Sequence, residues 1–394
     1  MNTASSGSLS KLVILDPILV ERFMSGCLSV AQDLIRIPSM NPPGDEAACI
    51  DYLAGLLERA GLSVKRYEFA PNRPSLVARL SGTSNDPPLC FTGHVDVVPL
   101  GLQPWSQRPF GGDVVDGRLY GRGSSDMKAG IAAFVEAVRK NSSNRLSRGI
   151  TLVITSGEET GCQGAFDLAR RDVLGSASLL IVAEPSSNEL ILAHKGSLRL
   201  AITSSGKTAH SSMPHLGDNA IYKAANWISR LERLEIAKDK HPLLNTTTLC
   251  VTTIHGGLNI NSVPDAVTFT IDFRSIPGHT HAELLEAVQG ALASEAEIEI
   301  VTDVSGFSTP PEDPAVQPVI AAYQKTFARS PVPRGAPYFT DASALTPAFN
   351  NVPTVVLGPG DMQQAHQTDE YCLVKRIDET LEIYGQLISD VCCS

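Results

Sequence analysis

Long apolar runs are missing from this sequence of 394 residues. None approaches the roughly 18 consecutive residues that cross a bilayer. The first apolar stretch, Leu12-Val13-Ile14-Leu15, stops at Asp16-Pro17 and is too short for the core of a secretory signal. Positive charge is not in excess either: 32 Lys and Arg stand against 42 Asp and Glu, a net charge of −10. That balance argues against nucleic acid as a partner. The eight cysteines, at 27, 49, 90, 162, 250, 372, 392 and 393, include no C-x-x-C pair. Scattered in this way they read as reduced, mostly buried thiols, which points to the cytoplasm. Two further motifs are incomplete. No G-x-S-x-G nucleophile elbow occurs, and Gly206-Lys207-Thr208 has Ala201 where a phosphate-binding loop needs glycine.

The remaining composition is that of a globular protein: 43% hydrophobic, 19% charged and 6% aromatic, with 31 Gly and 26 Pro. The length exceeds what one core usually spans, so two domains are expected. The Ser-rich Met1 to Ser10 is expected to be disordered. Leu89 to Phe91, Ile150 to Ile154, Leu179 to Val182 and Thr354 to Leu357 are continuous apolar runs, the pattern of buried parallel strands. Met127 to Lys140 places Ile131, Phe134, Val135 and Val138 on one helical face. Alternating strands and helices of this kind predict an α/β domain with a central, mostly parallel sheet.

From about residue 195 the rhythm changes. Ser197 to Thr203, Thr247 to Ile254, Ala266 to Phe273 and Glu297 to Val301 read as strands, and Asn219 to Leu234 and His281 to Leu292 as helices. The order β-α-β-β-α-β is ferredoxin-like. This segment, 194–304, is therefore expected to be inserted into a discontinuous domain formed by 1–193 and 305–394.

Chemistry-bearing residues follow the buried strands. Leu89 to Phe91 leads to His94 and Asp96, Ile150 to Ile154 to Glu158 and Glu159, Leu179 to Val182 to Glu184, and Thr354 to Leu357 to His366. Asp126 sits just before a helix. Open α/β sheets bind ligands at the carboxyl ends of their strands, and two histidines among carboxylates suit Zn²⁺, Co²⁺ or Mn²⁺. His94 and Asp96 are two apart and face the same side of an extended segment, so the aspartate can orient the ring. Glu158 and Glu159 point opposite ways there, so one can ligate while the other stays free as a base. His194, His215, His241, His255, His279 and His281 read as surface or loop residues.

Three long segments carry a family resemblance: Thr92-Gly93-His94-Val95-Asp96-Val97-Val98-Pro99, Leu119 to Lys128 around Gly121-Arg122-Gly123-Ser124-Ser125-Asp126, and Gly157-Glu158-Glu159-Thr160-Gly161. With Ile37 to Gly44 they resemble the M20 metallopeptidases and deacylases over nearly the whole chain. The resemblance implies a zinc-peptidase-like catalytic domain and an inserted domain that serves as lid and dimerisation surface. It implies one cation on His94, Asp126 and Glu184, and a second shared by Asp126 and completed by Glu159 and His366. Asp96 would orient His94, and Glu158 would act as general base and acid. The bond after Asp126 would be cis. His210 would reach the active site of a second copy and stabilise the oxyanion. Asn261 would touch substrate, and Arg274 would clamp its carboxylate. Two divalent cations, Zn²⁺ first with Co²⁺ or Mn²⁺ as alternatives, would offset four of the five acidic charges of Asp96, Asp126, Glu158, Glu159 and Glu184. The metal-free protein should then be less stable.

The implied reaction is hydrolysis of an N-acyl amino acid by a homodimer. The segment Leu357 to Tyr371 looks most like acetylornithine deacetylases, which would place the chain in arginine biosynthesis. Phe339, in Phe339-Thr340-Asp341-Ala342-Ser343, stands where those enzymes commonly have Gly. Succinyl-diaminopimelate desuccinylase, a broad N-acyl amino acid deacylase and a glutamate-releasing carboxypeptidase are the alternatives within the family. A non-catalytic metal-binding scaffold is the alternative outside it.

Overall fold

The computed structural model describes residues 17–236, 239–292 and 295–393. Met1 to Ser10 and the apolar Leu12 to Leu15 lie outside the described residues. The larger sheet runs, in spatial order, through Ser63–Glu68, Pro74–Leu80, Ile150–Thr155, Leu89–His94, Leu179–Val182, Thr354–Val356, Ile191–His194 and Phe307–Ser308. Its four central strands, the four predicted from apolar runs, are mutually parallel. Antiparallel strands flank them on both sides. These flanking strands escape the sequence pattern for a physical reason. Ser63–Glu68 is largely exposed and carries Lys65, Arg66 and Glu68, while Ile191–His194 has only four residues.

The central strands are buried along their whole length because helices cover both faces. Leu89, Phe91, Leu152 and Ile154 enter one core with helices Ala129–Asn141 and Val374–Cys392. Cys90, Val153 and Val182 enter the other with helices Gln163–Arg170 and Ala342–Ala348. On the first face, the Phe91 ring stacks on Phe134 at 6.0 Å and meets Tyr384 edge-on at 5.1 Å. Each such buried ring contributes roughly 1.5–3 kcal/mol. With both faces covered, the strand ends are where the sheet can meet a ligand.

Between Ile191–His194 and Phe307–Ser308 the chain forms a second, antiparallel sheet. Its order is Thr248–Gly256, Ala266–Arg274, Ser197–Ser205 and Glu297–Val304. Helices Ala220–Leu231 and His281–Ala291 pack on one face against Leu198, Leu200, Ile202, Phe269 and Phe273. The Asn219 side chain caps the first helix, and a Thr280–Glu283 capping box starts the second. Because side chains alternate along a strand, Arg199, Asp272 and Arg274 fall on the opposite, uncovered face.

Three of the six histidines read as surface residues are withdrawn from solvent. His194 is fully buried at a strand end, edge-on to Phe307 at 4.6 Å. Burial holds its pKa down at about 4. His279 pairs with the Thr247 hydroxyl at 2.7 Å, and His281 lies between Ser275 and Asp303. His194 ends a strand of only four residues, and His279 and His281 lie where a loop enters a helix, so no apolar period reveals their burial. His215 and His255 are exposed, and His241 is partly so.

Candidate metal centre

Strand Leu89–His94 ends on His94, which is buried. Its Nδ1 lies 2.9 Å from the main-chain oxygen of Asp96 and 3.5 Å from the Asp96 carboxylate. With Nδ1–H donating there, Nε2 keeps its lone pair for a ligand. That Nε2 faces Asp126 Oδ1 at 3.2 Å and Glu184 Oε1 at 3.5 Å. The second oxygen of Asp126 lies 3.4 Å from His366 Nε2, which is 3.1 Å from Glu159 Oε2. Two groups result, His94–Asp126–Glu184 and Asp126–Glu159–His366, each with ligand atoms within 4.8 Å of one another. Asp126 belongs to both, and the Asp126–Met127 bond is cis. One imidazole and two carboxylates per group make a nitrogen–oxygen donor set that fits Zn²⁺, Co²⁺ or Mn²⁺.

The charges of the cluster act on one another. Burial opposes protonation of His94, but Glu184, Asp126, Asp96 and Glu158 outweigh it and raise its pKa well above the usual range. Hydrogen bonds donated to the Asp126 and Glu159 carboxylates bring His366 up to about 10. Burial and neighbouring carboxylates push Glu158, Glu159 and Glu184 upward. Crowded acids of this kind are what divalent cations relieve.

Glu158 belongs to neither group. Its carboxylate comes within 3.9 Å of His94 Nε2 while Glu159 turns to His366, so the adjacent pair diverges. The Asp96 carboxylate does more for this loop than for the imidazole. It accepts the main-chain N–H of Gly157 at 2.8 Å and those of Glu158 and Glu159 at 3.2 Å, with Asn41 Nδ2 at 2.8 Å. Asn41 went unassigned in the sequence, although it lies in the Ile37 to Gly44 segment; its contact with Asp96 spans 55 residues. Asp341 is a second such residue. It is buried, accepts a hydrogen bond from the Thr155 hydroxyl, and is pushed up to about 6 by burial.

A cavity of about 420 Å³ opens over both groups. Arg274 lines it, and so does Arg199, which sequence reading missed. Both reach Asp272, at 3.1 and 3.3 Å. The alternation that buries Leu198, Leu200 and Phe273 could have indicated both arginines. Pro185, Tyr338, Phe339, Met362 and Ala365 form the apolar part of the wall. His210 and Asn261 are elsewhere. They are exposed beside the paired strands Ala209–His210 and Ser262–Val263, and neither lines the cavity. The His210 ring engages the Ser212 hydroxyl at 2.7 Å, and the Asn261 carbonyl accepts the N–H of Ser211.

An α/β sheet with this donor set beyond its strand ends is the framework of a metal-dependent hydrolase, and the family it matches acts on amides. Residues 90–390 match the model of peptidase family M20/M25/M40, and the chain belongs to that family. It is 30% identical to a probable succinyl-diaminopimelate desuccinylase of Staphylococcus epidermidis, over 86% of this chain and 91% of the relative. It is also 30% identical to an acetylornithine deacetylase of Proteus mirabilis, over 93% and 96%. Among solved structures it is similar to a dinuclear metal-binding M20 peptidase of Bacillus subtilis. That match has a TM-score of 0.69 and 15% identity, covering 94% of this chain and 99% of the other.

Proposed function

We propose that this chain hydrolyses the amide bond of N-acyl α-amino acids, giving a carboxylate and a free amino acid. The observation that carries the reading is one cavity shared by two clusters of potential metal ligands, a carboxylate outside both, and two arginines. His94, Asp126 and Glu184 would hold one divalent cation, and Asp126, Glu159 and His366 the other, with Zn²⁺ the first candidate. The bound cations would acidify a water and polarise the amide carbonyl. Glu158 takes the proton from the attacking water and returns it to the leaving amine as the C–N bond breaks. Asp96 fixes the loop that aims Glu158. Arg274, steadied by Asp272, receives the α-carboxylate. We take 194–304 as the lid and dimerisation domain, with 1–193 and 305–394 as the catalytic domain. His210 acts at the site of a second copy, and Asn261 touches substrate. All eight cysteines are unpaired, in keeping with the cytoplasmic location we propose.

The desuccinylase and deacetylase relatives are equally identical, so the cavity wall guides the choice of substrate. An ornithine side chain needs an anion for its ammonium, yet every carboxylate lining the cavity belongs to a cation group or is Glu158. Two arginines against Asp272 leave about one positive charge, enough for one carboxylate. The wall of Tyr338, Phe339 and Met362 favours an apolar or aromatic side chain or acyl group over N-acetylornithine. A panel of N-acyl amino acids, assayed with Zn²⁺ or Co²⁺, tests this. Apolar members should turn over fastest, and preference for N-acetylornithine would reverse the choice. Glu158→Gln should cut turnover at least ~10²-fold with unchanged metal content. Metal loss in that variant would make Glu158 a ligand. Bound metal with no turnover on any member would favour the scaffold reading.

A further inference from the structure

Arg122 and Glu370 are fully buried, yet neither lines the cavity. They pair at 2.7 Å across 248 residues of sequence. A buried ion pair stabilises a fold little better than apolar residues of equal volume, because both charges must shed water. The remaining hydrogen bonds of this pair point to another role.

Glu370 Oε1 accepts the main-chain N–H groups of Ser125 at 2.8 Å and Asp126 at 3.0 Å, and Oε2 that of Gly123 at 3.0 Å. The carboxylate therefore holds the turn that presents Asp126. Arg122 Nη1 also donates to the Gln367 carbonyl at 3.1 Å. Nη2 reaches the carbonyls of His366 at 3.4 Å and Pro99 at 3.3 Å. The guanidinium thus grips the segment that carries His366, beneath the Trp105 ring at 5.1 Å. One ion pair ties together the two loops bearing Asp126 and His366. The other group depends on it less. His94 ends a central strand and Glu184 lies two residues beyond another, where the sheet ladder sets their positions. His366 has no strand of its own; it sits at φ 65° with its side chain half exposed.

We propose that Arg122 and Glu370 are positioning residues that set the spacing of Asp126 and His366, and through it the affinity of the Asp126–Glu159–His366 group for its cation. This rests on the reading that this group holds a divalent cation. The test is calorimetric titration of chelated protein with Zn²⁺, with Co²⁺ visible spectra as a second measure of the same sites. Wild type should bind two equivalents; fewer would remove the two-cation reading itself, and this proposal with it. Glu370→Gln keeps the shape and removes the charge. It should weaken the Asp126–Glu159–His366 equivalent by roughly 10-fold to 100-fold, the usual effect of losing a partner that orients a ligand, and the other, which shares Asp126 but takes His94 and Glu184 from strand ends, by a clearly smaller factor. Arg122→Lys, which loses the fork, should do the same. Both equivalents unchanged, or both weakened alike as by a general loosening of the fold, overturns the proposal. If Glu370→Gln is insoluble, Arg122→Lys is read in its place. Insolubility of both would make the pair a folding element and also overturn it.

Discussion

His194 is a buried titratable side chain that no step of the proposed chemistry uses. Its ring is fully enclosed, Nδ1 meets the Lys195 carbonyl at 3.0 Å, and Nε2 has no hydrogen-bond partner among the described residues. Burial is the cause of its low pKa, against the opposing pull of the main-chain hydrogen bond. Below its ordinary value of 6.5 an unfolded chain binds a proton there that the folded chain refuses until about 4. The folded state therefore keeps this contribution above pH 6.5 and loses it as the pH falls toward 4. At pH 5 the loss is about 2 kcal/mol. Urea unfolding of metal-free protein at pH 7.5 and 5.0 checks this. Wild type should lose about that much more stability than His194→Gln between the two pH values. Equal losses in the two proteins would show that His194 is not the acid-sensitive group.

At the scale of elements, the strand Ala266–Arg274 turns one face to its core and the other to the cavity. Val267, Phe269, Ile271 and Phe273 are buried, so Asp272 and Arg274 face outward. Arg274→Ala should raise KM for N-acyl amino acids about tenfold or more. Arg274→Lys should recover little, since a point charge lacks the fork. The variant should also stop distinguishing free from amidated α-carboxyl substrates; unchanged KM on the free acid would discard the clamp. Elements of this kind are legible in sequence because burial imposes a period. The four central strands announce themselves as apolar runs, and the residues just past them, His94, Glu158, Glu159 and Glu184, converge because parallel strands bring their ends to one edge. Other residues leave no local trace. Glu370 reads as a loop acid after His366 until folding sets it against Gly123, Ser125 and Asp126. Asn41 is one polar residue before two prolines until it meets Asp96. Arg199 lies between Leu198 and Leu200 as a surface arginine would, and only the placing of the two sheets gives it a cavity to line.

Over the whole molecule, the smaller sheet leaves two edges of unequal character. Glu297–Val304 carries Glu297, Glu299 and Asp303, charges that discourage pairing. Thr248–Gly256 has no acidic residue, lysine or arginine and is exposed over most of its length. Ile254, Leu258, Ile260, Leu216 and Tyr222 are exposed apolar residues of the same inserted segment. An uncharged edge with exposed apolar neighbours is suited to a second copy of this chain. His210 is exposed in this segment and does not line its own cavity. If His210 completes the site of the partner subunit, mixing two inactive variants restores function. Glu158→Gln and His210→Ala should each be nearly inactive alone. A mixed dimer then contains one site with both wild-type residues, and by site counting it should regain up to about half the activity of a wild-type dimer. If His210 serves its own subunit by closure of the lid, no site in the mixture is whole and no activity returns. Subunit exchange is verified by native mass spectrometry of differently tagged chains. A chain that sediments as a monomer at assay concentration would exclude both the dimer and the action of His210 across it.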